Sequence, residues 1–288
     1  MIESALTAAP SAFTPQAETD DAIQVERGVL FPARLMGQPA STVEPWMARL
    51  LTASARDLGS YLIVDQRGHQ RPVYRGLLVY AAHQALNLTP NVQSGWRTGL
   101  LPWIHSIAVA LRNVDWPSDP TAAIPASSGA AAATAAWSAL SLHVAGTVWG
   151  TDTWRSLAAS TISQFARRQL PTGPFLAAGH SDNPETHWYY ELVILHAVAS
   201  FAIQTGDDAL AAVAARNAAY HQAATQPDHA TNQPWGLPAF IANRTTHSFA
   251  DQLLHTATTL AGAGGAAVSG ITSILLADAL YCLRLLLR

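Results

Sequence analysis

Val148-Trp149-Gly150-Thr151-Asp152-Thr153-Trp154 and Gln204-Thr205-Gly206-Asp207-Asp208 repeat one backbone signal, in which a helix stops, the chain turns and another helix starts. Glycine takes the left-handed conformation that ends a helix at no steric cost. An aspartate just after it can accept the unpaired N–H groups of the next helix. Each stretch therefore predicts a tight helical hairpin. The two capping aspartates, Asp152 and Asp207, stand 55 positions apart. Two helices with their loops fit that spacing, and about five such units fit the chain.

A stack or ring of hairpins needs inner helices wrapped by protein and outer helices with one wet face. Trp188 to Ile203 is apolar almost all round and reads as inner. Asp207 to Gln222 places Asp207, Asp208, Arg216 and Asn217 on one side and reads as outer. Gly129 to Gly146 is rich in alanine, the best helix former, and predicts closely packed neighbours. Residues 1–42 lack periodicity and read as an irregular surface arm, with Val29 to Arg34 extended. Beyond it the pattern predicts a helix over Val43 to Leu58, an extended piece at Tyr61 to Val64 and a helix after Pro72. The expected fold is all-α: a single-domain α/α toroid or incomplete barrel over residues 43–288.

Composition agrees with one large interior, since 49% of the 288 residues are hydrophobic and only 12% are charged. The net charge of −3 provides no field to draw in a polyanion, so no nucleic acid partner is expected. All 16 basic residues are arginines, and the lack of lysine excludes Schiff-base chemistry, pyridoxal phosphate attachment and a Walker-type phosphate loop. The lone cysteine, Cys282, excludes an internal disulfide and a cysteine-built zinc site, and its apolar setting reads as inert core. No cofactor is implied. Met1 to Asp21 carries no secretory signal pattern, so a cytoplasmic location is expected. Gly265 to Leu287 is apolar, but Asp278 and Arg284 interrupt it, which predicts a buried terminal helix and no membrane span.

Potential chemistry is densest from Gly179 to Glu191, which holds two histidines, three carboxylates, an amide and three aromatics. A loop entering an inner helix opens onto the central cavity of a hairpin ring, where a small-molecule or oligosaccharide ligand would sit. His187 and Glu191 are four apart and share a helix face, so the carboxylate can orient the imidazole as a general base. A purely structural use of the segment also fits. Asp182 or Thr186 then caps the helix, Glu185 favours its positive end, and Trp188, Tyr189 and Tyr190 fill the core. Glu191 and His196 lie in an otherwise apolar run, where a buried charge must be paired or used.

Two further patterns face the same cavity in this scheme. His247, Asp251 and His255 recur every four residues and make one helical stripe, fit for a proton relay, for two metal ligands or for a solvated outer face. The proline-bounded loop Asn232 to Pro238 offers Trp235 as the best candidate for an exposed aromatic among nine tryptophans. Asp228, His229, Asn243 and Arg244 lie close by in sequence, giving the cavity a second wall over residues 228–255.

Hairpin repeat, aromatic loops and the segment Asn183 to Tyr189 together resemble the α/α-toroid carbohydrate-active enzymes, in particular alginate-lyase-like polysaccharide lyases, over about residues 180–255. That family opens an inner helix with an Asn-His-x-x-Tyr-Trp-like segment. Here three residues separate Asn183 from His187, and Trp188 precedes the tyrosines. The resemblance implies β-elimination on a uronate: Asn183 or Arg244 neutralises the carboxylate, His187 or Tyr189 withdraws the C5 proton and a tyrosine protonates the leaving oxygen. Trp188, Tyr190, Trp235 and His247 would contact substrate. Hydrolysis by a pair such as Asp182 and Glu191 is the related alternative. Two other readings compete: a non-catalytic helical scaffold that binds its ligand, and a metal-dependent enzyme drawing on His180, Asp182, His187, His247, Asp251 and His255.

Overall fold

The alanine-rich run forms a helix because nothing in it resists one, and it ends where the glycine permits. In the computed structural model, which describes residues 93–178, 184–224, 235–243 and 270–288, that helix spans Gly129–Trp149. The described residues are all-α, with seven helices: α1 Gln93–Arg112, α2 Gly129–Trp149, α3 Asp152–Arg168, α4 Pro184–Thr205, α5 Asp208–Ala224, α6 Leu237–Ala242 and α7 Gly270–Leu286. Among them the sole extended pairing is an isolated parallel bridge between Ile124 and Leu176. No described helix is long and apolar enough to cross a membrane. The N-terminal arm, the expected elements before Gln93 and the stripe His247-Asp251-His255 lie outside the described residues.

Both predicted hairpins form, each on a left-handed glycine. Gly150 (φ 66°) closes α2 and Gly206 (φ 69°) follows α4. Their helix starts differ. Asp207 caps α5, its Oδ1 accepting the Leu210 N–H at 2.9 Å. Asp152 is not a cap: extended Thr151 holds that position without a side-chain cap bond, and Asp152, one residue inside α3, pairs with exposed Arg155.

Helices α2 and α4 are the inner pair and pack on one another. Helix α4 is buried continuously from Glu191 to Ala202. Outer helix α3 covers α2, α5 covers α4, and α1 lies against α2 and α3. Burial on α5 recurs every three or four residues, at Leu210, Val213, Ala214, Asn217, Ala218 and His221. Asn217 thus belongs to the inner face, contrary to its expected place among the wet residues, and the reason is its partner on α4. Helices α6 and α7 contact each other and α4. The apolar carboxy-terminal run is helical as expected, with Leu275, Asp278, Ala279 and Cys282 buried.

The α3–α4 connection is pinned at several points. Buried Arg168 donates to the Pro117 carbonyl at 2.9 Å and to Gln164 at 2.5 Å, with its guanidinium over the Trp116 ring. Ala177 N–H donates to Ile124 O at 2.7 Å beside the bridge. Gly173 has φ 113°, and a Cβ there would lie 2.7 Å from the Arg216 carbonyl oxygen, so glycine alone lets this turn sit on α5.

Candidate functional site

Pro184 supplies the fixed φ that suits a first helical turn, and α4 starts there. His187, Trp188, Tyr189 and Tyr190 follow, all half-buried, before the helix enters the core. Helices α4 and α5 run antiparallel, so their facing side chains meet as rungs. Asn217 Nδ2 donates to Glu191 Oε2 at 2.9 Å. The Trp188 indole N–H donates to the Tyr220 hydroxyl. His187 stands close enough to His221 for the two imidazoles to feel each other's charge.

The electrostatics of these rungs follow from dryness. Burial first, and then His187, depress the His221 imidazole from 6.5 to about 3, keeping it neutral. Partial burial lowers His187 as well. Glu191 moves the opposite way, up to about 7, because desolvation outweighs the hydrogen bonds that favour its charged form. Burial and the nearby Glu191 raise the Tyr220 hydroxyl.

His187 and Glu191 both turn towards α5, as their spacing of four predicts, yet each meets a residue of α5 there. Glu191 is fully buried and accepts three hydrogen bonds: from Leu176 N–H at 2.5 Å, from Phe175 N–H at 3.1 Å and from Asn217. Asn217 also donates to the Gly173 carbonyl at 3.1 Å. These bonds turn the carboxylate into a brace for the α3–α4 loop. No described hydrogen bond joins it to His187, because the backbone donors of that loop have claimed its oxygens.

The aromatics of the site are rooted in the core. Trp235, expected to be exposed, is fully buried: its ring lies against Trp137, Tyr189 and His196 at centroid distances of 5.5, 6.1 and 5.7 Å. Residues 235–236 form a turn into α6, and that turn folds inward. Tyr189 packs edge-on against Tyr190, which lies over Gly129 of α2 where a Cβ would collide with the ring. Asn243 ends α6, its side-chain amide donating to Ala239 O at 2.7 Å.

A second buried polar group links α4 to α7. Gly236 N–H donates to His196 Nδ1 at 3.2 Å, so that nitrogen carries no hydrogen. The proton then sits on Nε2, which donates to Asp278 Oδ2 at 3.0 Å. Ser200 donates to the same oxygen at 2.5 Å. A nucleophilic triad places the imidazole between hydroxyl and carboxylate, but here the carboxylate is central and the serine proton goes to it. All three side chains are fully buried. Burial, and then Asp278, push the neighbouring Cys282 thiol well above its ordinary range, which fits its expected inertness.

Sequence reasoning missed Asn217, His221, Tyr220 and Ser200. His196 and Asp278 were visible as lone polar residues in apolar runs, though not as partners. Asn183, Arg244 and His247 lie outside the described residues, as do His180, Asp182, Asp251 and His255. Among the described residues no group of three or more His, Cys, Asp or Glu side chains is placed to hold a metal ion. No family model, no curated protein and no solved structure matches this chain.

Proposed function

We propose that the protein is a helical-hairpin protein that binds a sugar-like ligand at the amino-terminal end of α4. Its hairpins would continue into an incomplete α/α toroid, and residues 180–191 and 228–255 would line the cavity. The observation that carries this reading is the row His187, Trp188, Tyr189, Tyr190, half-buried at the mouth of a helix that is otherwise core. On the side facing α5, the Trp188 and Tyr220 rings beside the imidazole of His187 suit a ring with both apolar faces and hydroxyls. Calorimetric titration with a panel of neutral and uronate oligosaccharides tests it. The expected result is saturable binding that Trp188→Ala weakens several-fold; a panel without a binder rejects the reading.

A second reading, β-elimination on a bound uronate, is favoured by the lowered pKa of His187. An imidazole that stays neutral at neutral pH is ready to accept the C5 proton. Glu191 would have no part in the reaction, being the brace of the loop. Unsaturated product, followed by its ultraviolet absorbance, should appear with one of the uronates and vanish in His187→Ala. Binding with flat absorbance traces leaves the binding protein as the function.

A further inference from the structure

On the outer side of α5, away from the core, an open cleft of about 340 Å³ lies between the turn Pro171–Gly173 and the helix. Its lining includes Pro171, Thr172, Arg216, Ala219, Tyr220 and Ala223. We propose that this cleft binds a small monocarboxylate with an apolar body, and that Arg216 receives the carboxylate.

Arg216 is held in place by a buttress. Gln169 donates through Nε2 to the carbonyls of Gly173 at 2.8 Å and Val213 at 2.9 Å. Its Oε1, so oriented, accepts the Arg216 Nε–H at 3.0 Å. That bond uses one of the five guanidinium donors and fixes the plane of the fork. Among the described residues no ion pair involves Arg216, which lines the cleft. The remaining surface is mostly apolar. Pro171, Ala219 and Ala223 contribute it together with the ring of Tyr220, whose hydroxyl already accepts from Trp188. The turn is tied to α5, because the Gly173 carbonyl accepts from both Gln169 and Asn217. A single planar cation above an apolar wall matches a single planar anion on an apolar body, and it leaves a compact dianion such as phosphate without a second cation.

Calorimetry of the full chain with benzoate tests the site, with benzyl alcohol and inorganic phosphate as comparators. One saturable benzoate site is expected, with each comparator weaker by about tenfold or more. Arg216→Ala should weaken benzoate about tenfold while leaving the urea unfolding midpoint unchanged, since the side chain is exposed. Arg216→Lys, which keeps the charge and loses the fork, should fall between the two. The proposal is overturned if benzoate does not saturate, if either comparator binds as well, or if both variants bind benzoate like the wild type. Sugar binding at the α4 mouth is measured in the same samples and is independent of either outcome.

Discussion

Glu191 accepts three hydrogen bonds in a dry interface, two of them from backbone N–H groups, and that number decides what its replacements do. Glutamine keeps the shape but offers one acceptor oxygen, so an amide NH2 must face an N–H donor. Glu191→Gln is therefore expected to cost about 1–3 kcal/mol in urea unfolding. The cost should depend on pH. Glu191 is raised from 4.5 to about 7 in the folded protein, so its contribution is complete below 4.5 and is lost as pH climbs through about 7. The gap between wild type and variant should then be widest near pH 4.5 and shrink as pH climbs to 7. His221 has the opposite sign. Lowered from 6.5 to about 3, it contributes fully above 6.5 and loses that contribution as pH falls towards 3, with His187 and His143 lowered in the same sense. Wild-type stability should thus be flatter between pH 4.5 and 6.5 than that of Glu191→Gln, and a gap that stays constant with pH contradicts the assignment. The shared face of His187 and Glu191 was legible in their spacing of four. What stood opposite was not, because no local pattern in α4 encodes the register of α5.

Two hairpins of similar sequence have differently built helix starts, and the difference is measurable. Asp207 lies one residue before α5 and reaches the Leu210 N–H, whereas Asp152 lies one residue inside α3 and meets only Arg155 at the surface. Asp207→Ala should cost about 1 kcal/mol as the loss of a true cap. Asp152→Ala should cost about 0.5 kcal/mol or less, the worth of an exposed pair and a helix-end charge. Equal losses in the unfolding midpoint would show that both aspartates act through charge alone. The hairpins themselves were legible, since glycine favours the left-handed backbone that Gly150 and Gly206 adopt at their turns. The cap position was shifted by one residue because extended Thr151 occupies it, and sequence does not rank two adjacent candidates. Burial on α5 was harder to read, since alanines cover both of its faces and Asn217 looks no wetter or drier than Arg216 beside it. Trp235 failed for a related reason: a proline-bounded loop signals a turn but not whether the turn points in or out.

Contacts between distant parts of the chain set the remaining behaviour, and the chief example is His196 with Asp278, 82 residues apart. Each stood out as a polar residue in an apolar run; only the packing of α7 on α4 makes them partners. Removing one member leaves buried donors without an acceptor. Asp278→Leu should cost about 2–4 kcal/mol, because the His196 Nε2–H and the Ser200 hydroxyl both lose theirs. The double variant His196→Leu/Asp278→Leu should cost less than the sum of the singles, with a coupling of about 0.5–3 kcal/mol, as expected of groups in one network. The two singles should also differ in where they loosen the molecule. His196 alone accepts the Gly236 N–H, at the turn that carries buried Trp235 into the core. Amide hydrogen exchange over residues 235–243 should therefore accelerate more in His196→Leu than in Asp278→Leu, even where the two are equally destabilised. Identical exchange in the two variants would mean that the imidazole does not anchor this turn and that Trp235 is held by packing alone.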